Sequence, residues 1–262
     1  MDFAIIAAGE GSRLVQEGVT TPKPLINIQG SPLIERLIRI FLQNGASSIA
    51  VIVNEEMKAV QEFLKKLRLP VPFHLHIQST PSSMHSFYAL SQYLKKDRFC
   101  LTTVDPIFRE EEFSAYIQAF QYADSQLDGL MAVTDFVDDE NPLYVRTDEG
   151  MRILEFNSKI QKFKNSKIQK FKNPVRDSIW VEKDSNLTIL RSCDLVSGGI
   201  YCLRQSAIRV LENAISEGIS RMRNFQQRLV DEGMNLKAYP FSKIIDVDHA
   251  EDINKAEEFL RL

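Results

Sequence analysis

Short β-branched runs alternate with longer amphipathic segments along the first half of the chain, the pattern of βαβ units that feed a mostly parallel sheet. Phe3–Ala7 reads as a buried strand that runs into a glycine-containing loop. Leu33, Leu37, Ile40 and Phe41 recur at helical spacing and predict a helix from about Pro32 to Asn44, with Ser31 as N-cap, Pro32 in its first turn and Gly45 as its stop. The series continues with strand Ile49–Val53, helix Glu55–Lys66 capped by Asn54, strand Phe73–Ile77, helix Ser83–Lys96 and strand Phe99–Val104. A helix over Glu110–Ala123 and a strand over Leu130–Thr134 extend it. From residue 135 the alternation falters, and an acidic loop precedes short strands near Leu143–Arg146 and Arg152–Phe156, which predict hairpins. Strand Gly199–Leu203, helices Ser206–Ser216 and Met222–Glu232, strand Asn235–Tyr239, the run Ile244–Val247 and a helix to Leu262 complete the pattern. The expected fold class is α/β.

At 262 residues with 44% hydrophobic positions, the chain can bury roughly 70–75% of its unfolded surface without help from a disulfide or structural metal. No linker rich in Pro, Gly or Ser divides it, so residues 1–262 are expected to form a single domain. Lys+Arg 32 against Asp+Glu 35 leaves a net charge of −3, which argues against a nucleic-acid partner. The longest apolar runs fall far short of the roughly 18 residues of a membrane span. Phe3–Ala8 follows no basic segment and runs directly into the Gly9–Gly11 turn, so a cytoplasmic protein is expected. Cys100, Cys193 and Cys202 lack paired or metal-ligand spacing and read as buried apolar residues. An octapeptide occurs twice in tandem, as Asn157–Lys164 and Asn165–Lys172. Two short copies cannot build a solenoid, and the expectation is an inserted surface loop at about 157–172.

The candidate chemistry begins where the first strand ends. Ala8, Gly9, Gly11 and Ser12 form a glycine loop, and such a loop lets backbone amides approach phosphate oxygens. It is neither the dinucleotide fingerprint, whose third glycine is replaced by Leu14, nor a P-loop, because Lys23 lies between Pro22 and Pro24. Those prolines stiffen the backbone around Lys23, biasing it away from the helical region, and suit it to act as a fixed cation. Arg13 adds a fork of donors for phosphate oxygens. Asp105 terminates an apolar strand at the edge where open α/β sheets bind ligands, a position that a turn-capping residue also takes.

Gly9-x-Gly11-Ser12-Arg13, then Pro22-Lys23-Pro24-Leu25, then Gly30-x-Pro32-Leu33-Ile34 resembles the N-terminal signature of nucleotidylyltransferases that activate sugars or alcohols, such as the glucose-1-phosphate, mannose-1-phosphate and choline-phosphate enzymes. The likeness is dense over residues 3–45, looser to about 135, and returns in the last twenty residues. It implies a Rossmann-like three-layer α/β/α fold with a mixed, mostly parallel sheet, an NTP, a phosphorylated small-molecule acceptor, Mg²⁺ and pyrophosphate as leaving group. It further implies nucleotide contacts at Ala8, Gly9, Gly11, Ser12, Arg13, Lys23 and Gln78, with Arg13, Lys23 and Asp105 catalytic. The metal would be held by Asp105 and Asp246, with Asp248 either a further ligand or a cap of the last helix. Ser197 and Gly199 stand where the family's acceptor strand begins, Ser197 replacing an asparagine. The family's acceptor lysine has only loose counterparts in Lys159 and Lys183, and the glycine expected after Gln78 is missing. No general base is expected, since a phosphate monoester is already anionic at pH 7. His74, His76, His85 and His249 read as packing or surface residues.

The expected activity is Mg²⁺-dependent transfer of NMP to a sugar 1-phosphate. Three alternatives stand beside it. One is cytidylyl transfer to phosphocholine or another alcohol phosphate. A glycosyltransferase is the second, although only Asp105 remains of its usual Asp-x-Asp. The third is a nucleotide-sugar-binding regulator.

Overall fold

The computed structural model describes residues 1–138, 140–157 and 195–261, together with the backbone of two further strands within 178–191. The first half is β1 (Asp2–Ile6), α1 (Ser12–Gln16), β2 (Asn27–Ile28), β3 (Ser31–Pro32), α2 (Leu33–Gln43), β4 (Ser48–Val53), α3 (Lys58–Lys66), β5 (Phe73–Ile77), α4 (Ser83–Ser91) and β6 (Arg98–Thr103). Then follow β7 (Pro106–Ile107), α5 (Glu110–Gln121), β8 (Gly129–Thr134), β9 (Tyr144–Thr147), β10 (Ile153–Asn157), and the ribbon β11 (Ser178–Val181) with β12 (Thr188–Arg191). The chain closes with β13 (Val196–Arg204), α6 (Ser206–Ser216), α7 (Met222–Asp231), β14 (Leu236–Pro240), β15 (Ile245–Asp246) and α8 (Ala250–Arg261).

Strands β10-β9-β13-β6-β1-β4-β5 form the main path of the central sheet, and β8 and β14 continue it from β13. Strands β6, β1, β4 and β5 are mutually parallel, as are β8 and β14, whereas β13 runs against β6, β8 and β9. The sheet is therefore mixed and mostly parallel, as expected. Alternation along β1 sends Phe3 and Ile5 to one face, where they meet Phe41, Phe113 and Tyr116, and Ala4 and Ile6 to the other, where they meet Phe87, Leu90 and Phe225. Helices on both faces complete three layers. Cys100 and Cys202 are buried free thiols in this core, and Cys193 lies outside the described residues. No described helix is long and apolar enough to cross a membrane.

Strand pairing and side chain to backbone hydrogen bonds move several boundaries from their predicted places. Asn27–Ile28 and Ser31–Pro32 pair as a small hairpin, so Ser31 is a strand residue and Pro32 takes the N-cap of α2. Asn54 accepts the amides of Glu56 and Met57, each at 3.0 Å, and that turn delays α3 to Lys58. Asp2 takes the amides of Lys95 and Lys96 at 2.7 and 2.8 Å, which draws the chain back towards the sheet after α4 has stopped at Ser91. Helix α1 has no apolar periodicity to announce it. Except for Asn157, the tandem octapeptide lies outside the described residues.

The consequence for function is directional. Parallel strands β1, β4, β5 and β6 all end at one sheet edge, and the antiparallel β13 begins there. The loops following Ile6, Val53, Ile77 and Thr103 therefore meet the start of β13 at the edge where such sheets bind ligands.

Candidate active site

The glycine loop leaves β1 and turns into α1 through Gly11, whose φ of +63° lies in the left-handed region that glycine adopts without strain. A Cβ there would stand 3.3 Å from the Lys23 Cβ, so the loop lies directly on Lys23. Asn54, at the end of β4, ties the loop down by donating to the Ala8 carbonyl at 3.1 Å. Lys23 opens a 3₁₀ turn, Lys23–Leu25, closed by Leu25 N to Pro22 O at 2.8 Å and Ile26 N to Lys23 O at 3.1 Å. The helical-type turn departs from the conformation expected before a proline, and its two hydrogen bonds hold it there.

From this turn the buried Lys23 ammonium donates to two carboxylates, Asp105 and Asp248, each at 2.5 Å. Arg13 reaches the other oxygen of Asp248 at 3.0 Å. Burial alone would favour neutral Lys23, but the Asp105 and Asp248 charges outweigh it and raise its pKa above the ordinary value. Burial likewise opposes ionisation of Asp105, yet the Lys23 charge, with hydrogen bonds from Lys23 and Thr103, holds its carboxyl below the usual range. Asp246 pairs across to Pro106 in the β15–β7 ladder, and the Val247 amide bonds the Asp105 carbonyl at 3.2 Å. The chain ends of β6 and β15 are thereby locked together. Buried Tyr201 lies beneath them: burial first, then the charges of Asp246 and Asp105, push its hydroxyl pKa up.

The resemblance leaves Asp248 as either a further metal ligand or a cap of the last helix. The strand ends at Asp246, and Asp252 performs the capping, accepting the amides of Asp248 and His249 at 3.1 and 2.7 Å. The Asp248 side chain is thus available to Lys23 and Arg13. Beyond it, His249 bonds Glu17 at 2.6 Å, and that hydrogen bond raises the imidazole pKa despite an opposing desolvation effect.

Two hollows meet at these ions. One is a cleft of about 560 Å³, within the range of small-molecule sites, between Ala8–Arg13 on one wall and Ser79, Thr80, Ser82, Ser83 and Ser86 on the other, with Lys23, Asp105 and Asp248 at its base. Gly9 faces open space there, with nothing within 4 Å of where its Cβ would stand. The adjoining cavity is lined by Arg13, Glu140, Ser197, Gly198, Asp246 and Asp248, among others. Gln78 lines neither. It borders a separate surface hollow and bonds His76 at 2.9 Å. Gly199 turns its Cα towards Thr103 Oγ1, where a Cβ would be 3.0 Å away, while Ser197 and Gly198 face the cavity. Lys159 and Lys183 lie outside the described residues.

Sequence reasoning did not single out Asn54 as a loop anchor, Glu17 as the partner of His249, or the hydroxyl-rich wall Ser79–Ser86. For Asn54 the signal existed, since it ends an apolar strand just as Asp105 does. Glu17 and His249 are 232 positions apart and carry no such mark.

The fold, a glycine loop over a buried lysine, and carboxylates converging from two strand ends define a nucleotide-handling α/β protein. More particularly, the profile of the MobA-like NTP transferase domain matches residues 3–170, and the chain belongs to that family. It is 26% identical over 220 residues to the bifunctional protein GlmU of Methanococcus vannielii, covering 82% of this chain and 44% of that protein. A shorter stretch of 49 residues is 45% identical to the 2-aminoethylphosphonate cytidylyltransferase of Lancefieldella rimae, covering 19% of this chain and 20% of that one. The inositol-1-phosphate CTP transferase from T. maritima has the same fold, with a TM-score of 0.73 at 16% identity over 99% of this chain and 94% of the other. The chain spans about half the length, or less, of the curated relatives it matches.

Proposed function

We propose that the chain is a nucleotidylyltransferase that moves an NMP group from an NTP to a phosphorylated small molecule, a sugar 1-phosphate in the leading reading. The observation that carries this reading is the Lys23 ammonium held between Asp105 and Asp248 at the junction of two hollows. The NTP would take the cleft, its phosphates facing the amides of Gly9–Ser12 and the Arg13 and Lys23 cations, and the acceptor would approach from the side of the smaller cavity, about 50 Å³, beside Ser197 and Gly198. An acceptor phosphate oxygen attacks the α-phosphorus, a new P–O bond forms, and the bond to the β-phosphate bridging oxygen breaks to release pyrophosphate. Lys23 and Arg13 offset the charge that accumulates on the phosphates, which is where fixed cations contribute most to rate.

The donor set fits Mg²⁺. Asp105, Asp246 and Asp248 supply oxygens alone, and among the described residues no three such side chains form a closed metal cage. Mg²⁺ is commonly held by one or two carboxylates and completes its shell with phosphates and water. Asp105 and Asp246 would hold it, with Asp248 close by. When bound it would supply further charge neutralisation at the phosphates.

A second reading, cytidylyl transfer to an alcohol phosphate or a phosphonate, draws on the 45% identical stretch shared with the 2-aminoethylphosphonate enzyme. The two are separated by measuring pyrophosphate release with Mg²⁺ while CTP, UTP, dTTP, GTP and ATP are crossed with sugar 1-phosphates, phosphocholine and 2-aminoethylphosphonate. Release requiring a sugar 1-phosphate supports the leading reading. Release requiring CTP with phosphocholine or the phosphonate replaces it, and release independent of any acceptor contradicts both.

A further inference from the structure

Strand β13 breaks its pairing with β8 at the point where it borders the acceptor cavity. Ser197 pairs with Val133 and Tyr201 with Met131, so three residues, Gly198 to Ile200, stand opposite Ala132 alone. Such a bulge re-aims the backbone next to a site and leaves ladder groups to be satisfied by something else. Two buried side chains brace it from opposite faces of the sheet, one by bonding ladder groups and the other by joining the side chains on either side of the shift. From α5, the Tyr116 hydroxyl donates to the Leu130 carbonyl at 2.6 Å and accepts the Cys202 amide at 2.9 Å. Cys202 and Leu130 are register partners, and the phenol bridges them at the bulge's far end. From α7, Gln226 spans the bulge itself: its Oε1 accepts Ser197 Oγ at 3.2 Å, and its Nε2 donates to the Tyr201 hydroxyl at 3.2 Å. Ser197 and Tyr201 are the two residues that flank the register shift. Gln226 is only 3% exposed and Tyr116 is fully buried, so water does not compete for either role.

We infer that Tyr116 and Gln226 are positioning residues for the acceptor: together they clamp the β13 bulge that presents Ser197 and Gly198 to the cavity. The inference rests on the transferase reading. Neither side chain lines the nucleotide cleft, so the clamp acts on acceptor binding and leaves the NTP contacts in place. Tyr116→Phe keeps the ring among Phe113, Tyr239 and Phe241 and removes only the hydroxyl. Gln226→Leu keeps the volume and removes the amide.

The test is steady-state kinetics of both variants together with amide hydrogen exchange of the peptide covering 196–204. The expected result is an acceptor KM raised roughly tenfold or more by loss of fixed geometry, an NTP KM within about twofold of the parent, and faster exchange confined to 198–202. A merely structural role would raise both KM values together or neither, and that overturns the inference, as does unchanged exchange at the bulge. Should Tyr116→Phe fail to fold, Gln226→Leu decides the question alone. If the unaltered protein transfers no nucleotide, the transferase reading falls and the acceptor role with it. The exchange data then report separately whether the clamp exists.

Discussion

Lys23 offsets two carboxylates at once, so its removal acts on more than a single contact. Lys23→Ala leaves Asp105 and Asp248 close together at the base of the cleft without their shared cation. Turnover is expected to fall about 100-fold or more, the magnitude associated with losing one preorganised charge at a transition state, and pyrophosphate release would show it. Lys23→Arg should not restore the rate, because a planar guanidinium cannot occupy a site built for a point charge. Asn54 makes a different kind of contribution. Its amide joins the Ala8 carbonyl to the turn before α3, and Asn54→Ala should cost about 1–2 kcal/mol of stability through lost hydrogen bonds. Denaturant unfolding measures that cost, and an accompanying rise in the KM for NTP would place Asn54 in loop positioning. At this scale the sequence is informative wherever a residue type is forced by backbone geometry or by charge on a stiff chain, as at Gly11, Lys23 and Asp105. It is silent on pairs such as Lys23 with Asp248, which only the crossing of β15 beside β7 brings together.

The elements are fastened by a few buried polar side chains, and Asp2 is the clearest case. Its carboxylate accepts the hydroxyls of Ser47 and Ser48 and the amides of Lys95 and Lys96, so one residue of β1 ties down the approaches to both neighbouring strands. Burial would raise its pKa, but these hydrogen bonds prevail and hold it below the usual carboxylate range. A carboxyl depressed in the folded state stabilises the protein fully above its unfolded pKa and loses that contribution as pH falls through the folded one. Melting temperature should therefore drop as the solution is acidified below about pH 4, and Asp2→Asn should flatten that part of the profile while lowering stability by roughly 2 kcal/mol at neutral pH. An unchanged acid limb in the variant would show that other carboxylates dominate. Periodicity made the four strand–helix cycles of the first half legible, because β1, β4 and β6 are buried on both faces, the edge strand β5 keeps an apolar alternation, and each helix buries one face. It could not place the ends of α3 and α4, which side chain to backbone bonds from Asn54 and Asp2 decide. Nor did it show the full length of β13, where Val196–Gly198 precede the predicted start and the bulge interrupts alternation.

For the molecule as a whole, the two hollows and the ions between them are assembled at one sheet edge from residues 8–13, 23, 105, 197–198, 246 and 248. The tandem octapeptide is a separate matter, since none of those residues lies within it. We propose from the sequence that the repeat is an insertion, so deleting Asn165–Lys172 is expected to change melting temperature and turnover little, as lengthening a loop costs closure entropy only slowly, and a large loss of either would give the repeat a structural or catalytic part. The central claim is that NMP transfer takes place where Lys23 bridges Asp105 and Asp248. Its most direct test follows an NTP labelled at the α-phosphorus through a single turnover with the acceptor that supports release, using the parent protein and Lys23→Ala side by side. The account predicts acceptor-dependent appearance of the label in the diphosphate product with the parent, and a rate lower by about two orders of magnitude with the variant. Label transfer at near-parental rate by a folded Lys23→Ala protein would contradict it.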